Sequence, residues 1–398
     1  MANAEAQRNS QSKRIAAAIR WRLARGRRAI RESTSKIIAA GGGFWRERQR
    51  TKHAKAQFAK HDLLHLDDRA DYVACTQRYW LKHYGQSINP LWHVAIAAVT
   101  GVRDERFIPH NIWLEKIVPH FNSARKRHAY LDKNLARALI HPRLEVPSLI
   151  KRIHGAYYTD EYSPLSSHDA ARVLAAHDGD VIIKGTTTDD GHGVRLARIS
   201  DGVIWINDKA TMLPDLERLY GPDFTVQERV TQHPAMAAPH PNSVNTVRVL
   251  TFRWRGEIHL LLAFVRMGVD GRITDNAGTG GICRGVEADG SLSATGVDAY
   301  GKVYRAHPSS GFAFTSEQRV PGYERLRDYA RELHERVYHF DLVSWDFVIG
   351  ADEQPIFLEM NFRGASYVYQ FACAKPIFGD LTPEVFAEVR KDLQTFNW

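Results

Sequence analysis

Cysteine is scarce: Cys75, Cys283 and Cys373 are spread over 398 residues with no C-x-x-C pair. That argues against a disulfide framework or a zinc site and for a reducing, cytoplasmic setting. No apolar run approaches the ~18 residues that cross a bilayer. Arginines punctuate the N-terminal stretch, so no secretory signal is expected there. No G-x-x-x-x-G-K-[ST] sequence occurs, and no G-x-G-x-x-G follows a strand, so P-loop and Rossmann phosphate sites are not expected. There is no internal repeat. What is present, 44% hydrophobic and 10% aromatic residues, is the composition of a globular protein. The length suggests two or three packed units.

Negative charge is missing from one segment. Residues 1–60 hold 16 Lys/Arg against 3 Asp/Glu, a net of +13, while the remaining 38 basic and 42 acidic residues net −4. The overall +9 therefore belongs to an arm. Within it, "KRIAAAIRWRLARGRRAIRE" places Ile15, Ile19, Leu23 and Ile30 roughly on one helical face among arginines. Such a helix suits an anionic membrane surface or nucleic acid, the alternative being a solvated, partly ordered tail. The expected location is cytoplasmic, peripheral at the inner face of the membrane if the arm engages it. Gly41, Gly42 and Gly43 then act as a hinge.

Residues 61–130 read as helical and aromatic, with Trp80, Trp92 and Trp113 in core positions and no chemistry of their own. Residues 131–232 mix helix and strand. "LSSHDAARVLAAH" opens with Ser166 three residues before Asp169, a capping-box-like start, and "VIIKG" follows as a strand. Residues 233–398 are dominated by hairpins. "NTVRVLTFRW" and "EIHLLLAFVRM" flank Arg255–Gly256 as an antiparallel pair. A helix is predicted over 323–338, and another from near Thr382. The mixture predicts an α+β or α/β architecture.

The stretch "WDFVIGADEQPIFLEMN" reads as two apolar strands interrupted by Asp346, Glu359 and Asn361. If the turn is "GADEQP", Ile349 faces Ile356 and Asp346 faces Glu359, with Cβ atoms about 5 Å apart. Asn361 points from the same face. Two such carboxylates repel unless a cation joins them. An all-oxygen set without His or Cys favours Mg2+ or Mn2+. The alternative is a rim-exposed pair capped by arginines such as Arg363. In "DVIIKGTTTDDGHGVRLARI", Lys184 ends an apolar strand beside a loop carrying Gly185, Gly191 and Gly193. That arrangement suits phosphate, although Gly-rich hairpin turns are common. "FTVQERV" is a further strand. Glu228 there is either a ribose-hydroxyl partner beside an adenine or a surface glutamate.

Taken in order, these pieces resemble the ATP-grasp superfamily, and most closely its sugar-transfer-associated subgroup. "PNSVNTVRVLT", "RMGVDGRITDNAGTGGI", "HPSSG", "SWDFVI" and "LEMN" look like that subgroup's blocks, over roughly residues 75–390. The resemblance implies an ATP-grasp fold: two α+β lobes, 131–232 and 233–398, sandwich a nucleotide, preceded by the helical region and the arm. It implies ATP and Mg2+ (or Mn2+) as cofactors. Lys184 would contact nucleotide phosphates, and Lys133 would be the earlier nucleotide-binding lysine that begins the lobe, with Lys151 competing for that role. Residues 185–193 would cover the phosphates, although Asp189 and Asp190 depart from the usual neutral loop. Glu228 with the backbone of Arg229 and Val230 would hold ribose and adenine. Arg248 would face the γ-phosphate or acyl phosphate, and Asp346, Glu359 and Asn361 would ligate the metal.

The expected activity is that of a carboxylate–amine ligase, in which ATP converts a small-molecule carboxylate into an acyl phosphate for attack by an amine. A sugar- or polysaccharide-linked substrate is suggested by the subgroup alone. "TDNAGTGGI" offers Asp275, Asn276 and a run of backbone N–H groups for the acceptor. Arg266, Arg284 or Arg363 would clamp a carboxylate or pair with acidic neighbours. His233, His240 and His307 are expected to be structural. The rival readings are a phosphotransferase acting on a hydroxyl or a protein, and a non-catalytic nucleotide-binding scaffold.

Overall fold

The computed structural model describes residues 51–187 and 193–395. The predicted arm helix and loop residues Gly191, Asp189 and Asp190 therefore lie outside the described residues. A helical layer comes first, with α1 (Arg69–Tyr84), α2 (Leu91–Thr100) and a run over 110–121 that contains a π-helical turn, Trp113–Ile117. Two short helices, α3 (Arg127–Leu131) and α4 (Lys133–Ile140), lead into the first sheet. Among the described residues, no helix is long and apolar enough to cross a membrane.

The first sheet has eight antiparallel strands in the order β3-β2-β1-β8-β4-β5-β6-β7. Its members are β1 (Ser148–Ile153), β2 (Ala156–Tyr158), β3 (Pro164–Leu165), β4 (Gly179–Gly185), β5 (Arg195–Ser200), β6 (Val203–Ile206), β7 (Lys209–Thr211) and β8 (Phe224–Glu228). Helices α5 (Ser167–Ala175) and α6 (Leu213–Tyr220) supply Ala170, Leu174, Leu213 and Leu216 to its core. The Ser166 hydroxyl accepts from the Asp169 N–H at 3.0 Å and donates to the Asp169 carboxylate, which fixes the start of α5 as the sequence implied.

The second sheet has seven strands in the order β13-β12-β11-β10-β9-β14-β15. They are β9 (Val247–Trp254), β10 (Glu257–Met267), β11 (Ile282–Val286), β12 (Gly296–Val297), β13 (Val303–Tyr304), β14 (Leu342–Ile349) and β15 (Pro355–Asn361). The β9–β10 turn at Arg255 (φ 51°) and Gly256 (φ 88°) has both residues at positive φ, the geometry that matches the twist of a two-residue hairpin. Helix α7 (Tyr323–Glu335) covers one face with Leu326, Tyr329, Ala330 and Leu333. Helix α8 (Ser366–Cys373) packs against β10 and β11, and α9 (Thr382–Thr395) follows.

One strand pairing departs from expectation. Asp346 does face Glu359, but Ile349 pairs with Pro355 and Val348 with Ile356. A β-bulge beside Asp346 inserts Leu358 as an unpaired residue, and bulges re-aim side chains in this way. Here Phe357 and Met360 remain in the core, while Leu358, Glu359 and Asn361 all face the space between the two sheets.

Candidate active site

Alternation along strands decides which chemistry reaches that space. On β4, Val181 and Ile183 point into the core of the first sheet, so Ile182 and Lys184 point the other way and line a cavity of about 560 Å3. On β8, Gln227 and Glu228 line it too, and the second sheet contributes Arg248, Arg266, Asp346, Glu359 and Asn361. Arg127 and Lys133 from α3 and α4, Tyr367 from α8, and Asn276 and Arg363 from loops complete its lining.

Lys184 makes no ion pair with any described residue. Burial, together with the neighbouring Lys133 ammonium, pushes its amine down to about 8; desolvation disfavours the charged form and a like charge adds to it. Lys133 sits 3.9 Å from the Glu359 carboxylate. Lys151 is elsewhere. It is 3% exposed, bonds the Asp160 carboxylate at 2.8 Å and the Asp160 carbonyl at 2.6 Å, and lies over the Tyr162 ring. Of the two competing lysines, only Lys133 reaches the cavity. Val230 lines it as well, and its backbone N–H and C=O have no hydrogen-bond partner among the described residues. Arg229 instead turns to Asp180 at 2.8 Å, and Gly193 (φ 78°) lies off the cavity wall.

The carboxylate wall has a cation already. Arg248 Nε and Nη2 grip Asp346 at 2.6 and 2.5 Å, a two-pronged contact between adjacent strands. Arg266 Nη2 adds a third bond at 2.9 Å. Asp346 is completely buried. Burial alone would raise its carboxyl, yet the two guanidiniums hold it down at about 2. Burial alone would lower Arg248, yet the Asp346 charge and the hydrogen bonds to it together hold it above its usual range. The arginines that cap Asp346 are thus Arg248 and Arg266, in a buried position. Glu359 is different. Its side chain is 36% exposed and lies 3.4 Å from Asn361 Nδ2, which is 3.5 Å from Asp346 Oδ2. These three side chains form an all-oxygen set once the Asn361 amide presents its oxygen, and they suit a hard divalent cation. Among the described residues no cluster of three His, Cys, Asp or Glu side chains forms a metal site by itself.

The loop between β10 and β11 corrects a further expectation. The N–H groups of Gly278, Thr279, Gly280 and Gly281 bond to Asn276 or Ala277 inside a 3-10 turn, Ala277–Thr279, capped by the Asn276 side chain. They therefore form no open anion hole. Gly281 permits this closure, because a Cβ there would stand 2.5 Å from the Asp275 carbonyl. Asp275 is 6% exposed and accepts the Thr246 N–H at 2.9 Å. Arg284 cannot clamp a substrate, since it is 1% exposed and donates to Ser293 O, Thr315 O and Gln318 Oε1. His240 and His307 hold the loop's base, bonding the Asp270 and Gly268 carbonyls, each at 2.7 Å. His233 caps a short helix through the Ala235 N–H.

Sequence reasoning missed the contribution of the helical layer. The Tyr367 ring on the cavity wall packs against Trp92 (5.3 Å) and His110 (5.0 Å). His110 Nδ1 contacts Ser366 Oγ at 3.1 Å, and Trp113 Nε1 donates to the Gly364 carbonyl at 2.7 Å. Aromatic residues at helical spacing carry no sign of such a role. Gln227 had a signal, its place next to Glu228.

Several solved structures are similar in part. D-alanyl-alanine synthetase A from Vibrio cholerae O1 biovar eltor is 12% identical, with 68% of this chain and 67% of that one covered and a TM-score of 0.41. The ATP-grasp ligase PsnB, complexed with minimal precursor, Mg and ADP, is 17% identical (68% and 62% covered, TM-score 0.38). VanG D-Ala:D-Ser ligase from Enterococcus faecalis is 11% identical (66% and 61% covered, TM-score 0.39). The chain thus spans about three-fifths of PsnB and VanG. No curated protein matches it. The family model described as sugar-transfer associated ATP-grasp matches residues 115–383, two-thirds of the chain and both sheets, and the protein belongs to that family.

Proposed function

We propose that the cavity binds ATP with a divalent cation and that the protein is an ATP-dependent ligase activating a carboxylate for attack by an amine. The observation that carries this reading is convergence. Lys133 and Lys184 meet Asp346, Glu359 and Asn361 across one cavity between two sheets. The adenine lies against Ile182, Val146 and Leu358, its edge on the unpartnered backbone of Val230, and Glu228 takes the ribose hydroxyls. Lys184 and Lys133 hold the phosphates. Glu359, Asn361 and Asp346 would hold the divalent ion, which would supply charge neutralisation for the transferred phosphoryl group. Arg248 keeps Asp346 in place and lines the same wall.

In the first step a carboxylate oxygen bonds to the γ-phosphorus and the bond to ADP breaks. In the second, the amine attacks the acyl carbon, inorganic phosphate leaves, and the amine proton passes to solvent. Arg363 and Arg127 flank the end of the cavity nearest Phe362, since α3 packs on β15 and Tyr130 packs on Phe362. They are the cations proposed to orient the acceptor carboxylate, with Asn276 and Tyr367 on the same cavity's wall. A sugar-linked acceptor is the finer proposal, supported by the family description alone. ADP release measured with Mg2+ over a matrix of carboxylates, amines and sugar derivatives tests the reading, with product mass as the second readout. A ligated product together with phosphate supports it. A stable phosphorylated product without ligation replaces the ligase with a phosphotransferase, and absence of Mg2+-dependent nucleotide binding overturns it.

A further inference from the structure

Arg266 stands where two parts of the site meet. Its Nη2 lies 2.9 Å from Asp346 Oδ2 and 3.3 Å from Asp275 Oδ1, while Nε donates to Thr246 Oγ1 at 3.0 Å. Asp346 belongs to the carboxylate wall. Asp275 belongs to the glycine loop over 274–281, which it ties to the start of β9 through Thr246. One nitrogen is thus shared by two buried carboxylates from separate segments. Together with Arg248 they form an alternating row, Arg248–Asp346–Arg266–Asp275, with two charges of each sign and all but Arg248 less than a tenth exposed.

The row is balanced only while no further charge joins it. A divalent cation arriving at Glu359, Asn361 and Asp346 raises the positive potential beside Arg266, and in a buried setting that repulsion is weakly screened. Among the described residues, the other carboxylate paired with Arg266 is Asp275. We propose that Arg266 is a positioning residue that exchanges between Asp346 and Asp275. Cation loading shifts it onto Asp275 and so tightens the 274–281 loop over the acceptor end of the cavity. The inference rests on the nucleotide reading above and deepens it: the acceptor wall is completed only after the metal is in place. The rigid fork of the guanidinium anchors Nε on Thr246 while Nη2 faces both carboxylates, an orientation that the single flexible ammonium of a lysine does not fix.

Amide hydrogen exchange on the full chain tests this, comparing ADP with EDTA against ADP with MgCl2, each at saturating ADP. Peptides from β4, around Lys184, report occupancy, and peptides over 274–281 report the loop. In the wild type, Mg2+ is expected to slow loop exchange about threefold or more beyond the effect of ADP alone. In Asp275→Asn, whose amide oxygen still accepts from Thr246, and in Arg266→Lys, the β4 response persists and the Mg2+-dependent loop response is lost. A wild-type loop indifferent to Mg2+, or a full loop response in both variants, overturns the inference while leaving the nucleotide site standing. If Mg2+·ADP changes neither β4 nor the loop, the nucleotide reading falls and the inference with it.

Discussion

Replacing Asp346 with asparagine removes one charge from a fully buried site and leaves Arg248 and Arg266 facing each other across a neutral amide. Breaking a buried pair from one side costs about 3–5 kcal/mol, and two guanidiniums depend on this one carboxylate. Proton linkage gives a second measure. The carboxyl titrates near 2 in the fold and near 3.9 in an unfolded chain. A depressed carboxylate contributes stability that is fully present above about pH 4 and is lost as pH falls towards 2, on the order of 2–3 kcal/mol in all. The mutation should cost more than acid does, because a protonated carboxyl keeps an oxygen towards both arginines, whereas the amide turns its NH2 on one of them. Glu359→Gln is the matched control. Its partner Lys133 is 3.9 Å away and its side chain is 36% exposed, so its loss is worth about 1 kcal/mol at most. Thermal melts at pH 7 should place Asp346→Asn roughly 5–10 °C below wild type and Glu359→Gln close to it. Both should lose Mg2+-dependent ATP turnover. An Asp346→Asn protein as stable as wild type would refute the reasoning about the arginine pair, and normal turnover by Glu359→Gln would sink the metal assignment.

Lys184→Met should weaken ATP binding about tenfold or more; unchanged affinity by calorimetry removes Lys184 from the phosphate site. Because its amine sits near 8 and an anion favours the charged form, wild-type affinity should fall as pH rises through 8, and that dependence should vanish in the variant. Lys151→Met leaves Asp160 short of one partner and should cost about 2–3 kcal/mol in urea melts with ATP affinity intact; a loss of affinity would return Lys151 to the nucleotide site. Arg284→Met leaves three buried acceptors without a donor and should destabilise by about 2–4 kcal/mol, again with nucleotide binding retained.

The parts of the site that could be anticipated are those governed by a single strand. Lys184 faces the cavity because period-2 alternation sends Val181 and Ile183 the other way, and alternation is written in four consecutive letters. The partners of Asp346 were not legible in this way. Arg248 and Arg266 lie 98 and 80 residues from it in sequence, and each looked like a substrate ligand until the β10-β9-β14 strand order set them beside a carboxylate. Nor could Trp92 and His110 announce that they brace a cavity wall, since a residue that packs against Tyr367 obeys the same hydrophobic pattern as one that packs against another core residue.

The Asp346–Glu359 pairing shows how a correct contact can come from an incomplete register. Counting outward from a six-residue turn sets Ile349 opposite Ile356 and Asp346 opposite Glu359. The actual loop is one residue shorter, closing Ile349 on Pro355, and that shift alone would have moved Asp346 opposite Leu358. The unpaired Leu358 restores the count, so the two deviations cancel at the carboxylates and nowhere nearer the turn. Chemistry explains why the cancellation falls there. Phe357 and Met360 are both needed in the core, and only an extra residue between them lets Glu359 and Asn361 face the cavity from the same strand. Deleting Leu358 should therefore do more than remove a side chain. It should pull one register or the other out of place, with either the carboxylate wall or the core giving way. The separation of the two in exchange and in melting would show which of them the strand is built to keep.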